Sequence, residues 1–129
     1  VALDQIKNFT FNLKEKKGII RREKQNLLDG NYWRKRGKKD GLIDFRMSSE
    51  RIYNLVRALS HPYVGAHIVY NNEDVTIWKA EFIDCDLKNI EPGKVLKSDN
   101  EGIVIKCGDD AIALIRHEFI QLPKVGEYL

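Results

Sequence analysis

With 129 residues, the chain has room for one domain with a modest core and at most a fragment of a second. Its hydrophobic share of 43% beside 32% charged residues is that of an ordinary globular protein. It holds neither an apolar run of the roughly 18 residues a membrane helix needs nor a basic-then-apolar signal pattern, so a cytoplasmic protein with no membrane partner is expected.

The first predicted element is a helix. Leu3, Ile6, Phe9 and Leu13 fall on one helical stripe that ends near Gly18, a candidate C-cap. A helix that begins so abruptly reads as the last helix of something upstream. Ile19 to Phe45 is irregular, with turn signals at Asp29-Gly30 and Asp40-Gly41. Residues 1–47 hold 13 Lys and Arg against 6 Asp and Glu, a net +7, whereas residues 48–129 hold 9 against 13, a net −4. The basic character therefore belongs to the first third alone.

Within it, GNYWRKRGKKDGLIDF (30–45) runs a Tyr-Trp pair into Arg34, Lys35, Arg36, Lys38 and Lys39. Cations that close together repel one another, so an element that keeps them side by side often has an anion to hold. In one reading Arg34, Lys35 and Arg36 grip a phosphate, since arginine's planar fork bonds two phosphate oxygens at once. In the other the cations form a solvated loop whose stems cover apolar surface. Asp40-Gly41 followed by Ile43-Asp44-Phe45 reads as architecture: a turn, with Asp40 accepting backbone hydrogen bonds, then an extended clamp.

Ser48 is a good N-cap for a helix whose stripe is Ile52, Leu55, Val56 and Leu59 and which His61-Pro62 stops. Tyr53, Asn54 and Arg57 fall on or beside its exposed side, where the sequence leaves open whether they meet another domain or solvent and whether Arg57 pairs with Asp44. Strand-like segments follow: AHIVY, VTIWKAEFI, KVL, IVIKC and AIALI, with an extended tail through Phe119. The apolar phase slips between Ile77 and Trp78, the sign of a bulge or of two partly buried faces. The fold expected is mainly β with helices (α+β): a small antiparallel OB-like barrel with one packed helix, preceded by a helix and a basic linker, closure hiding the strand edges.

Cys85 and Cys107 have no partner at metal-ligand spacing and are expected as reduced packing residues. His61, His67 and His117 are scattered, so no metal site is expected.

Three blocks in order, YWRKRGKKDGLIDF (32–45), IYNLVRALSHPYVGAHI (52–68) and VTIWKAEF (75–82) with the EPGKVL turn, resemble the C-terminal half of the folate-dependent formyltransferases, which act on methionyl-tRNA or amino-sugar nucleotides. Beyond residue 96 the likeness thins to a strand pattern with a GDD turn. The resemblance implies three parts: residues 1–18 as the terminal helix of a Rossmann-like catalytic domain, 19–47 as a basic linker, and 48–129 as an OB-like C-terminal domain. It implies N10-formyltetrahydrofolate as the donor, bound by the upstream domain together with the family's catalytic asparagine, histidine and aspartate. None of these three lies in a matching motif here, so no catalytic residue is expected in this chain. The position matching Arg36 resembles a phosphate contact of the sugar-nucleotide members, and Arg34, Lys35 and Tyr32 accompany it as candidate binding residues. Because the region after the linker is net acidic, an amino-sugar nucleotide is the acceptor favoured over initiator tRNA, whose binding rests on broad phosphate neutralisation. A second function class stays open, a free-standing single-strand-binding module stacking bases on Tyr32, Trp33, Tyr70 and Trp78.

Overall fold

The structure, a computed structural model, describes residues 1–15 and 23–129. They fall into two units, Val1–Arg34 and Lys35–Leu129. In the first, helix α1 (Ala2–Glu15) carries Asp4 in its first turn and Lys14 in its last, both favourable to the helix dipole. None of its residues is buried, the stripe of Leu3, Ile6 and Phe9 included. Gly18, the candidate cap, lies outside the described residues. The turn signal at Asp29-Gly30 is real: Asn26 accepts a hydrogen bond from the Leu28 amide and caps a 3₁₀ turn over Leu27–Asp29.

The second unit is α+β, a five-stranded antiparallel sheet with one helix packed on it. Helix α2 (Ser49–Leu59) starts where Ser48 accepts a hydrogen bond from the Arg51 amide. Of its stripe, Ile52 and Val56 are fully buried, while Leu55 and Leu59 sit half-covered at the margin. After Ser60 the chain leaves the helix, and Pro62 two residues on could not continue it. The Ser60 hydroxyl donates to the Trp78 carbonyl (3.0 Å) and ties the helix end to the sheet.

The strands are β1 (Ala66–Tyr70), β2 (Glu73–Ile83), β3 (Val95–Asp99), β4 (Gly102–Lys106) and β5 (Ala111–His117), arranged β1-β2-β5-β4-β3. Asn71 and Asn72, with φ of 51° and 64°, make the tight β1–β2 turn; asparagine tolerates that left-handed backbone. The phase slip in β2 is a bulge: its register against β5 shifts on both sides of Lys79. Ala111 to Leu114 are all buried, so β5 is covered on both faces and reads as a continuous apolar run. The core joins Ile52 and Val56 to Ile68, Ile77, Ile103, Ile105, Ile112 and Leu114, closed by Ile43 and Phe45.

No ladder between β1 and β3 is among the pairings of the described residues; two short segments cover those edges instead. The Ile43 amide bonds the His67 carbonyl (2.8 Å) beside β1. At β3, the Val95 amide bonds the Glu127 carbonyl and the Gly126 amide bonds the Val95 carbonyl (both 2.8 Å). Each outer strand is thus met by another segment, β1 at His67 and β3 at Val95, which shortens the edge it offers for pairing.

Candidate functional site

The second half of the basic stretch is held by its own turn and by the sheet. Lys38–Gly41 form a 3₁₀ turn in which Asp40 accepts a hydrogen bond from the Gly37 amide (2.7 Å). Gly41 is buried, and its role is close approach: a β-carbon there would meet Leu59 Cδ1 at 3.0 Å and the Gly65 carbonyl at 3.3 Å. Its φ lies outside the left-handed region, so packing rather than turn geometry asks for glycine. Ile43 and Phe45 both enter the core, and Leu42 between the turn and Ile43 faces out. The extended clamp read from DGLIDF is therefore present.

Asp44 turns outward and pairs with Arg46, which donates through Nε (2.9 Å) and Nη2 (2.6 Å). That side-chain pairing, aided by the Arg46 backbone amide, holds the Asp44 carboxyl at about 2. The Asp44–Arg57 pair, which the sequence left open, is not made; Arg46, two residues along the same segment, holds the carboxylate instead. Arg57 donates to Asn54 Oδ1 (3.2 Å), and its guanidinium lies 5.4 Å over the Tyr53 ring.

The candidate binding residues occupy different settings. Tyr32 and Arg34 belong to the first unit, Lys35 and Arg36 to the second. Tyr32 is wholly exposed, and Trp33 beside it is exposed with its indole N–H donating to Asn31 Oδ1 (2.9 Å). Arg36 is one of the residues lining a small cleft of about 70 Å³ whose apolar members are Leu55, Ala58, Leu59 and Val64. Lys38 is committed to an ion pair with Asp74 in β2, which lowers that carboxyl's pKa. The cations are thus not equivalent: Lys38 fastens the basic segment to β2, while Arg36 is exposed beside a cleft.

Sequence reasoning missed a second cleft, about 340 Å³, where α2 meets β2 and β5. Tyr53, Arg57, Trp78, Lys79, Glu81 and Arg116 are among the residues that line it. Trp78 is fixed on two sides: its ring stacks on His61 (4.1 Å, 8°), and its indole N–H donates to Glu118 (3.1 Å). Lys79 and Arg116 are direct cross-strand partners at the β2 bulge. No local pattern announces that pairing, since it depends on the register of strands distant in sequence.

The histidines pack rather than cluster. His67 is buried in β1, and His117 stands edge-on to Phe119 with its pKa lowered by burial. Both cysteines are free thiols, and burial pushes Cys107 up to about 12. Among the described residues no group of three His, Cys, Asp or Glu side chains could hold a metal ion. No described helix is long and apolar enough to cross a membrane.

The five-stranded sheet, the helix packed on it and the clamped basic segment define a small α+β domain. The chain belongs to the formyl transferase C-terminal domain family, whose sequence profile matches residues 35–124. It is 34% identical over 114 residues to a methionyl-tRNA formyltransferase of Halothermothrix orenii, covering 84% of this chain and 36% of that protein. The same-named protein of Sulfurihydrogenibium sp. is 36% identical over 111 residues, covering 85% and 34%. The chain thus spans about a third of the length of these relatives. Among solved structures, HypX from Aquifex aeolicus in complex with tetrahydrofolic acid superposes with a TM-score of 0.55 at 20% identity, over 93% of this chain and 20% of that one. This last likeness shows the fold alone.

Proposed function

We propose that this chain is the acceptor-positioning C-terminal part of a cytoplasmic N-formyltransferase that moves a formyl group from N10-formyltetrahydrofolate to an amine. The observation that carries the reading is the family match over residues 35–124. In this division residues 1–18 belong to the upstream catalytic domain, 19–47 are the linker, and 48–129 are a small OB-like domain. The folate donor and the reacting groups are assigned to the upstream domain; no residue here is given a role toward them. Arg36 is the residue proposed to meet an acceptor phosphate, and Lys35, Arg34 and Tyr32 are each proposed as further acceptor-binding residues. The exposed place of Arg36 in the lining of a cleft supports that role.

The acidic balance of residues 48–129 favours an amino-sugar nucleotide on charge alone, but nothing in the comparisons supports that acceptor, nor a free-standing nucleic-acid module. The relatives named above are methionyl-tRNA formyltransferases, so the acceptor proposed is the initiator methionyl-tRNA. A chimera tests it: this chain replaces the corresponding C-terminal part of the Halothermothrix orenii protein, and formylation of methionyl-tRNA and of an amino-sugar nucleotide is followed by mass spectrometry. Formylated methionyl-tRNA is the expected product. A chimera that formylates only the sugar overturns the acceptor assignment, and formyl transfer by this chain alone overturns the division of labour.

A further inference from the structure

The cleft between α2, β2 and β5 holds three cations with little to balance them. Lys79 and Arg116 stand directly opposite each other across two antiparallel strands. Like charges in that relation destabilise a sheet pair. The register shifts on both sides of Lys79, and such bulges re-aim side chains and recur beside functional sites. Arg57, on the last turn of α2, adds a third cation from the other wall.

Their partners are few. Lys79 has one, Glu81 on its own strand (3.3 Å), with both side chains more than half exposed. Arg57 has only the neutral Asn54 amide and the Tyr53 ring. Arg116 has no hydrogen-bond or ion-pair partner among the described residues. The nearby Glu118 carboxylate is engaged by the Trp78 indole. Glu81 also lines this cavity of about 340 Å³, but its ion pair is with Lys79, so the two guanidiniums face the cavity without a carboxylate of their own, and Arg57 is pre-positioned by its aromatic and amide contacts. Trp78, pinned between His61 and Glu118, offers a fixed aromatic wall.

We propose that this cleft is a phosphate-binding site, taking a phosphate carried beside a planar ring, as in a nucleotide, with Arg57 and Arg116 on the phosphate oxygens and the ring against Tyr53 or Trp78. It is separate from the Arg36 cleft and does not depend on which amine the family's chemistry serves here. The same chemistry could be presented by a free mononucleotide or by an RNA strand.

The full 129-residue chain, ¹⁵N-labelled, is titrated with inorganic phosphate, with AMP and with a ten-nucleotide single-stranded RNA while amide and indole NMR signals are followed; a Trp33→Phe background assigns the Trp78 indole. Saturable shifts at Tyr53, Arg57, Trp78 and Arg116 are expected with all three probes. Arg57→Ala and Arg116→Ala should each weaken the affinity about tenfold or more, while Lys97→Ala on β3 leaves it unchanged. Arg116→Lys should recover part of the loss, which a merely structural role would not predict. Equal affinity for AMP and RNA assigns the site to a mononucleotide. Much tighter, salt-sensitive RNA binding assigns it to a strand. Absence of saturable shifts with any probe, or alanine variants that bind like the parent, overturns the proposal.

Discussion

Replacing Ile52 by Ala tests how α2 is held. Ile52 is 0% exposed and sits on the face that α2 turns to β2, among Ile77 and the other core residues. Truncating a buried isoleucine costs about 2–5 kcal/mol, from lost transfer energy plus the cavity left behind. The second unit has 95 residues, 35 to 129, and at about 0.05–0.15 kcal/mol per residue its whole stability is roughly 5–14 kcal/mol. The substitution therefore removes a large share of it. Leu55 provides the contrast on the same stripe. It is only half-covered, at the rim of the Arg36 cleft, so Leu55→Ala should cost on the order of 1 kcal/mol. Urea unfolding followed by Trp78 fluorescence in a Trp33→Phe background reads both. With a slope of about 1–2 kcal/mol per M, Ile52→Ala should lower the midpoint by at least about 1 M and Leu55→Ala by clearly less. Equal midpoints for the two variants would mean that the stripe is not anchored through Ile52, and the packing of helix on sheet described above would be wrong.

Three further outcomes follow from single sites. In the chimera, Arg36→Ala should weaken acceptor binding by about 1.5–3 kcal/mol with the constant for the folate donor nearly unchanged, whereas Lys39→Ala, an exposed cation of the same cluster, should do little; equal small effects in steady-state kinetics return the stretch to a solvated loop. Asp109 Oδ1 accepts a hydrogen bond from the Ser49 amide (2.8 Å) at the start of α2, and this bond, more than any other cause, lowers its pKa. Its contribution is thus complete above the unfolded value near about 4 and is lost as pH falls through the lower folded value, so Asp109→Asn should flatten, without abolishing, the acid limb of a stability profile that Asp74, Asp99 and Glu127 share. Cys107, whose thiol burial pushes up to about 12, should resist a thiol-labelling reagent at neutral pH until the chain is unfolded, while half-buried Cys85 reacts first; early labelling of Cys107 in a mass spectrum would count against its burial.

What was legible in the sequence was local. Ser48 as a cap, the Ile52–Val56 stripe and the strand-length alternations each depend on neighbours within a few residues, and even the β2 bulge announced itself as a broken phase. What was not legible needed register. The GDD turn looked like a weak spot in the family likeness. In the folded chain Asp109 caps α2, and Lys106, buried beneath the turn, donates to the carbonyls of Cys107, Asp109 and Asp110. The missed Asp44–Arg46 pair was the exception, because its two members are local and only the longer alternative drew notice.

The charge balance carries less weight than its total suggests, for a related reason. A net −4 over residues 48–129 counts every carboxylate alike, yet several are acceptors for the chain's own amides. Asp99 binds the Glu101 and Gly102 amides, Asp110 the Cys85 amide, and Glu127 the Lys124 amide, in addition to Asp109 at α2. Their positions are dictated by turns and caps, while Lys79 and Arg116 are placed side by side at one cleft by the β2–β5 register. Affinity for a phosphate group depends on where the cations stand and what already neutralises them, not on the sum over the surface. An acidic total is therefore compatible with a locally cationic cleft. Charge alone was the argument against a polynucleotide acceptor, and this distribution removes its force.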